Sequence, residues 1–471
     1  MPGSFSKDFE TNKQYIDELF QVKKSFDLIY RVVTSGGRTS CFYFIDGFCK
    51  DEVMEKIIEF LYKITPDQMP ETAHDFLKDR LPYGEIDLVS EEANLIQRML
   101  SGVPILIIDG YDKFLAMDFR TYPARGVDEP EKDKVMRGSK DGFVETVVYN
   151  TALIRRRIRS PQLVMEMNTV GRSSRTDVVL CYMSDRVEQK MLQDIKNRLK
   201  KIDIDALTMN QESLAECLYQ HKWYNPFPKF KFTERPDTTA ASILEGSIVI
   251  LVDTSPSAMI LPTSVFDIIE DADDYYFPPV TGTYLRLSRI AINILAVLLT
   301  PTFLLLFMHP EWIPECLSFI EITDPINIPI FMQFLILEFA IDGLRLASLN
   351  TPSMFSTPLS VVAGIVLGDY TVSSGWFNSE IMLYMAFVAV ANYTQVSFEL
   401  GYALKFMRLI LICLTAAFGV YGYIGGILLT LVCIVCNKTI SGKSYIYPIL
   451  PFNYKQFMRR FCRVSLPKSE R

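Results

Sequence analysis

Apolar residues are distributed very unevenly along this chain. Long apolar runs fall at 288–308, 328–349, 355–372, 378–398 and 406–436, and all lie beyond residue 287. A spanning helix needs about 20 consecutive, predominantly apolar residues, and several runs meet that length. The pattern predicts an α-helical, polytopic transmembrane domain, because helices satisfy every backbone polar group within their own segment. Charge runs the other way. Residues 1–286 hold 36 Lys+Arg and 45 Asp+Glu, whereas residues 287–471 hold 12 and 10. The first part is therefore acidic, and repulsion by phosphates argues against nucleic acid as its partner.

The opening stretch, MPGSFSKDFETNKQYIDELF, has no apolar core of signal-peptide length, so the acidic half is expected in the cytoplasm. The nine cysteines are scattered, with no repeated Cys-x-x-Cys in that half to suggest zinc or a disulfide framework. Cys433 and Cys436 lie inside an apolar run and read as small lipid- or helix-facing residues. His74, His221 and His309 lack ligand spacing, and neither standard Gly-rich phosphate loop is present. No metal, cofactor or enzymatic activity is expected.

The acidic half reads as alternating strands and helices. Ser25–Val33 and Arg38–Phe48 are strand-like around Ser-Gly-Gly, and Asp51–Ile64 carries apolar residues at helical spacing. Leu163–Thr169 and Asp177–Met183 repeat the pair, followed by a helix over Val187–Leu199. MLSGVPILIIDGYDKFLAMDF, from Met99, aligns with ILEGSIVILVDTSPSAMILPT, from Ile243. Gly102 matches Gly246 and Asp109 matches Asp253, across apolar runs of equal length. The expectation is a duplicated α/β domain with two similar subdomains. The expected boundaries are 1–135 for the first, 136–285 for the second with a linking helix, 286–437 for the membrane domain and 438–471 for a basic tail.

Between the repeats, Val144–Ile158 has helical spacing and closes on Arg155, Arg156 and Arg157, where cations suit the helix dipole. A solvated helix end is the plain reading. The density of charge, with Arg137, Lys140 and Asp141 before it and Arg235 and Asp237 after, suggests instead an oligomer or domain interface.

Loop charges set the orientation of the membrane domain. Arg286 and Arg289 precede the first run. The loop 309–327 carries Glu311, Glu315, Glu321 and Asp324 with no Lys or Arg, and the tail from Lys438 is strongly basic. Both termini are then cytoplasmic, which requires the run 406–436 to enter and leave on one side. Its Gly-rich centre, Gly419–Gly426, suits a hairpin or re-entrant turn. In the second run Glu338, Asp342 and Arg345 lie four and three residues apart, on one helical face near mid-span. Charges at that depth face a bundle interior or an aqueous path. They are either an ion pathway or a lock in which Arg345 pairs with Glu338 or Asp342. Lys405 and Arg408 read as interfacial anchors.

Three long segments carry a family resemblance: Arg137–Leu163, Phe232–Asp267 and DADDYY at Asp271–Tyr276. They resemble the blocks that mark the GerA family of bacterial spore germination proteins, A-subunit type. The resemblance implies a multi-pass subunit in the inner membrane of the spore. It also implies partnership with other germination-protein membrane subunits in an oligomeric ion channel that supports ion release, with monovalent cations as the permeant species. A homo-oligomer is expected, because one chain has too few spans for a roomy pore. The alternatives are a non-conducting scaffold or partner-binding subunit of a germinant receptor, a nutrient-receptor A subunit and, lower, a secondary transporter. A transporter would favour broken helices in both of two inverted halves.

Overall fold

The computed structural model describes residues 5–122, 134–219, 224–350, 364, 368, 370–440 and 442–463. The chain divides into two compact units, residues 1–220 with 230–262, and residues 221–229 with 263–471.

The first unit contains one succession of elements twice. It begins with α1 (Phe9–Leu19), β1 (Leu28–Ser35), β2 (Arg38–Ile45), α2 (Asp51–Lys63), α3 (Ala73–Asp79), β3 (Ile86–Val89), α4 (Glu92–Leu100), β4 (Ile105–Ile108) and β5 (Phe114–Met117). It then repeats as α5 (Val147–Arg157), β6 (Leu163–Val170), β7 (Thr176–Met183), α6 (Gln189–Lys201), α7 (Asn210–Leu218), β8 (Lys231–Thr233), α8 (Pro236–Leu244), β9 (Ile248–Val252) and β10 (Ala258–Leu261). Each set forms a five-stranded antiparallel sheet, in the orders β1-β2-β4-β5-β3 and β6-β7-β9-β10-β8. The orders are the same, so the duplication read from two short segments extends to the whole topology.

Side chains repeat as well. Asp109 Oδ1 accepts the N–H of Phe9, the first residue of α1, at 3.3 Å; Asp253 Oδ1 accepts that of Val147, the first residue of α5, at 3.1 Å. Each carboxylate thus satisfies an N-terminal donor that the helix itself leaves unbonded. Asn12 and Asn150, three residues further on, each close a ring with the backbone six residues earlier, Ser6 and Val144. Gly102 and Gly246 follow α4 and α8 with φ of +91° and +96°, the left-handed conformation that ends helices.

Strand alternation explains why β4 is apolar throughout. Ile105 and Ile107 pack with α1 and α4, while Leu106 and Ile108 pack with α2 and α3 on the opposite face. Sequence periodicity missed the helices α1, α3 and α8 and two of the short strands. β3 and β8 have 4 and 3 residues, too few to display alternation.

The second unit is helical. Its main helices are Pro279–Met308, Ile330–Asn350, Ser379–Tyr393 and Phe398–Val435. Two of them, the first and the last, are long and apolar enough to cross a membrane. The run 355–372 lies almost wholly outside the described residues. Phe398–Val435 is not straight: Gly419 takes φ 55°, ψ −130°, and the chain turns back there. Gly426 lies against Leu411, since a Cβ placed on it would sit 2.3 Å from Leu411 Cδ1 and 3.4 Å from Leu411 Cα. Fifteen residues of straight helix would separate them by about 22 Å. Gly422 meets the Leu414 carbonyl equally closely. The hairpin is therefore real, and glycines let its arms touch, as small residues do between membrane helices. It also begins earlier than the apolar run, at Phe398, where the Ser397 hydroxyl caps the Leu400 N–H.

With the native cysteines replaced, a Leu411→Cys/Gly426→Cys pair should form a disulfide rapidly under mild oxidant. A Leu404→Cys/Gly426→Cys pair, further along the arm, should not. Equal yields from both would contradict the hairpin.

Candidate functional site

A buried cluster of charge occupies the helical unit. Glu338 and Asp342 stand one turn apart on Ile330–Asn350, and Lys405 and Arg408 stand three apart on the first arm of the hairpin. Arg408 is fully buried and Glu338 is 2 % exposed. Arg408 donates from Nε to Glu338 Oε1 at 2.6 Å and from Nη1 to the Ala296 carbonyl at 2.7 Å. That carbonyl belongs to helix Pro279–Met308. Pro301 in the same helix has no N–H for the neighbouring Val297 carbonyl. One guanidinium thus joins three helices. Lys405 Nζ lies 3.3 Å from Glu338 Oε2, donates to the Glu338 carbonyl at 3.3 Å, and makes a short ion pair with Asp342 Oδ2. Two acids and two bases leave no net charge, as a low-dielectric interior favours, and Asp342, at the edge of the cluster, is 32 % exposed.

Arg345 is placed elsewhere. Its guanidinium lies over the rings of Phe398 and Tyr402, 4.6 and 5.2 Å from their centroids. Glu338 and Asp342 pair with Lys405 and Arg408, and the expected pairing with Arg345 is corrected accordingly. Three residues apart in sequence, the two bases match the four-residue spacing of the acids, and that was the available signal. The early helix start puts them two and three turns inside the helix rather than at its mouth. Three buried polar atoms of this region, Glu338 Oε2, Arg408 Nη2 and Thr300 Oγ1, have no hydrogen-bond partner among the described residues. An amide pair supports the cluster: Gln333 Nε2 donates to Asn378 Oδ1 at 2.8 Å, and the Asn378 N–H returns to Gln333 Oε1 at 2.9 Å.

A second network, which sequence reasoning missed, surrounds Arg286. Its guanidinium donates to Glu270 Oε1 at 2.8 Å and to the carbonyls of Arg459 and Arg460 at 2.9 Å. Arg289 pairs with Asp274 at 2.6 Å, and Arg460 reaches Asp267 at 2.5 Å and Glu270 at 2.7 Å. Burial pushes the Asp274 carboxyl above its ordinary range, opposed by Arg289 and Arg286.

The charged block of the first unit is engaged within the chain. Arg155, fully buried, forks onto Asp27 at 2.7 and 3.0 Å and also donates to Ser25 Oγ and the Leu163 carbonyl. Asp27 belongs to the first subdomain, so this arginine joins the two repeats. Arg156 lies over the Tyr122 ring at 4.8 Å. Arg157 pairs with Asp141 at 2.9 Å, and Arg235 pairs with Asp237 at 2.6 Å while donating to the Ser139 carbonyl. Arg137 and Lys140 are exposed.

Residues 14–471 match the family model described as Bacillus/Clostridium GerA spore germination protein. The chain belongs to the GerA family. It is 32% identical to stage V sporulation protein AF of Bacillus subtilis (strain 168) over 457 residues, covering 97% of this chain and 92% of that protein. That member's pattern is the one the segments Asn225–Asp237, Val252–Pro262 and Leu337–Pro352 resemble. It is 28% identical to spore germination protein GerLA of Bacillus cereus, over 98% of this chain and 93% of that one. Among solved structures, the N-terminal domain of the A subunit of the Bacillus megaterium spore germinant receptor GerK3 is 26% identical, with a TM-score of 0.42, covering 55% of this chain and 96% of that one. GerA family membership and the apolar helices support a membrane-associated role in spore germination.

Removing Arg408 leaves two carboxylates against one base in the cluster, and an uncompensated buried charge typically costs about 3–5 kcal/mol. Arg408→Met should therefore destabilise the protein in detergent by roughly that amount. Glu338→Gln combined with Arg408→Met should recover much of the loss. A double variant as unstable as the sum of the two singles would show that the pair is not coupled.

Proposed function

We propose that this GerA-family chain is a multi-pass subunit of a germination complex in the spore inner membrane, with both termini cytoplasmic, and that it supports the release of monovalent cations. The buried quartet is the observation that carries the proposal. Soluble packing gives no reason to bury Glu338, Lys405 and Arg408 among apolar helices, and in membranes such residues mark ion paths or bind helices together. With every charge paired, the quartet is the closed arrangement. Separating the hairpin arm from Ile330–Asn350 would expose two carboxylates to water and create a cation-attracting path. The scaffold reading has its own support in that same complete pairing, since a permanent lock needs nothing more.

Flux separates the readings. In liposomes holding the protein with its partner subunits, Glu338→Gln together with Arg408→Met, which keeps the charge balanced, should change cation flux or ion preference several-fold. Wild-type flux from that variant would leave only the lock.

Assembly with further copies is part of the proposal. Arg155 cannot serve it, being enclosed with Asp27, and reversing its charge should unfold the first unit rather than dissociate an oligomer. The exposed Arg137 and Lys140 are the residues to reverse. Arg137→Glu with Lys140→Glu should reduce the assembly size in detergent while leaving the fold intact, and an unchanged size would remove this surface from the interface.

A further inference from the structure

The C-terminal segment of the helical unit holds apolar side chains out of its core. Ile449, Leu450, Phe452 and Tyr454 are 39, 55, 64 and 68 % exposed, within six consecutive residues. The segment is ordered rather than trailing. The Ile449 and Asn453 N–H groups donate to the Ile446 and Pro448 carbonyls at 2.8 and 3.1 Å, and Asn453 caps the helix Tyr454–Phe461. Phe452 is 5.7 Å from Phe457, which stacks on Phe461 at 4.3 Å, and Phe461 packs on Phe266 at 5.1 Å.

What fixes this helix in place also fixes its depth. Arg286, on the second turn of Pro279–Met308, donates to the carbonyls of Arg459 and Arg460 and so caps the last turn of Tyr454–Phe461. The Arg463 N–H donates to Thr283 Oγ1 at 3.0 Å, and Gly282 leaves room for Arg463 Cδ. The C-terminal end of Tyr454–Phe461 therefore sits beside the start of the helix that begins the apolar half. On that helix Val280, Tyr284 and Leu287 form an adjacent stripe, 83, 69 and 48 % exposed. The two exposed apolar surfaces thus belong to elements joined at Arg286, where the chain passes from charged to apolar composition. Aromatic residues with basic neighbours are favoured at that level of a bilayer.

We infer that Ile449–Tyr454 is a lipid-interface anchor: Leu450 and Phe452 insert among the lipids on the cytoplasmic side, and the Arg286 network clamps them to the first membrane helix. The inference rests on the membrane reading above and adds a specific lipid contact to it. Its consequence is mechanical. A helix pinned at its cytoplasmic end by a lipid-seated segment resists being drawn along its axis.

The test uses the full chain, with Trp223, Trp312 and Trp376 replaced by Phe, in vesicles of ordinary or acyl-brominated phosphatidylglycerol and phosphatidylcholine. Phe452→Trp reports on the anchor, and Leu428→Trp, on the hairpin, reports on the membrane reading itself. Brominated acyl chains should remove most of the emission from both reporters, and aqueous acrylamide should reach neither well. Quenching of L428W by bromolipid, with F452W unquenched and open to acrylamide, would overturn the anchor while leaving the membrane reading intact. F452W shielded from both quenchers would mean that protein, not lipid, covers the segment, and would overturn the anchor as well. Failure of L428W to respond would overturn the membrane reading and the anchor together.

Discussion

A single guanidinium organises the helical unit. Arg408 reaches Glu338 on one helix and the Ala296 carbonyl on another, from a third that returns on itself at Gly419. The arrangement works because a buried charge finds its main partners nearby: an opposite charge, a backbone carbonyl, and a second base, Lys405, for the remaining carboxylate. The hairpin glycines and the amide pair of Gln333 and Asn378 then need only hold the helices at that separation.

The N-terminal unit uses the same device at a different place. Arg155 is as deeply buried as Arg408, and its carboxylate partner, Asp27, comes from the other repeat. Each repeat builds its own sheet and satisfies its own helix start through Asp109 or Asp253, and the Arg155 fork fastens the two together. Duplicated halves joined by a buried bidentate pair have a fixed register, because a planar fork accepts a carboxylate in few orientations.

Much of this was legible in the sequence. The Gly102/Gly246 and Asp109/Asp253 matches revealed the duplication because backbone conformation and helix capping demand those residue types at those positions. The charged face of Ile330–Asn350 was visible from spacing alone, and the Gly-rich centre of the last run announced the turn. Partners were harder to read. Lys405 and Arg408 stand at the edge of the apolar run, where basic residues usually anchor at the interface, and only the Ser397 cap moves them inside the helix. Arg345 shares a face with Glu338, yet the nearby rings of Phe398 and Tyr402 hold it, a contact that depends on how the helices cross. The Arg286 network joins residues up to 190 apart in sequence, and no local periodicity reports such a contact.

If the quartet is a cation path, its Glu338–Arg408 core is closed at rest and becomes wet when ions are released. Thr300, fully buried one turn beyond Ala296, is the place to ask. A Thr300→Cys variant, in a background without the native cysteines, can be exposed to a small cationic thiosulfonate in resting vesicles and again while the assembled complex is conducting. The thiol should be inert at rest and react many-fold faster during release. A thiol equally inert in both states, while ions flow, would contradict the cation path.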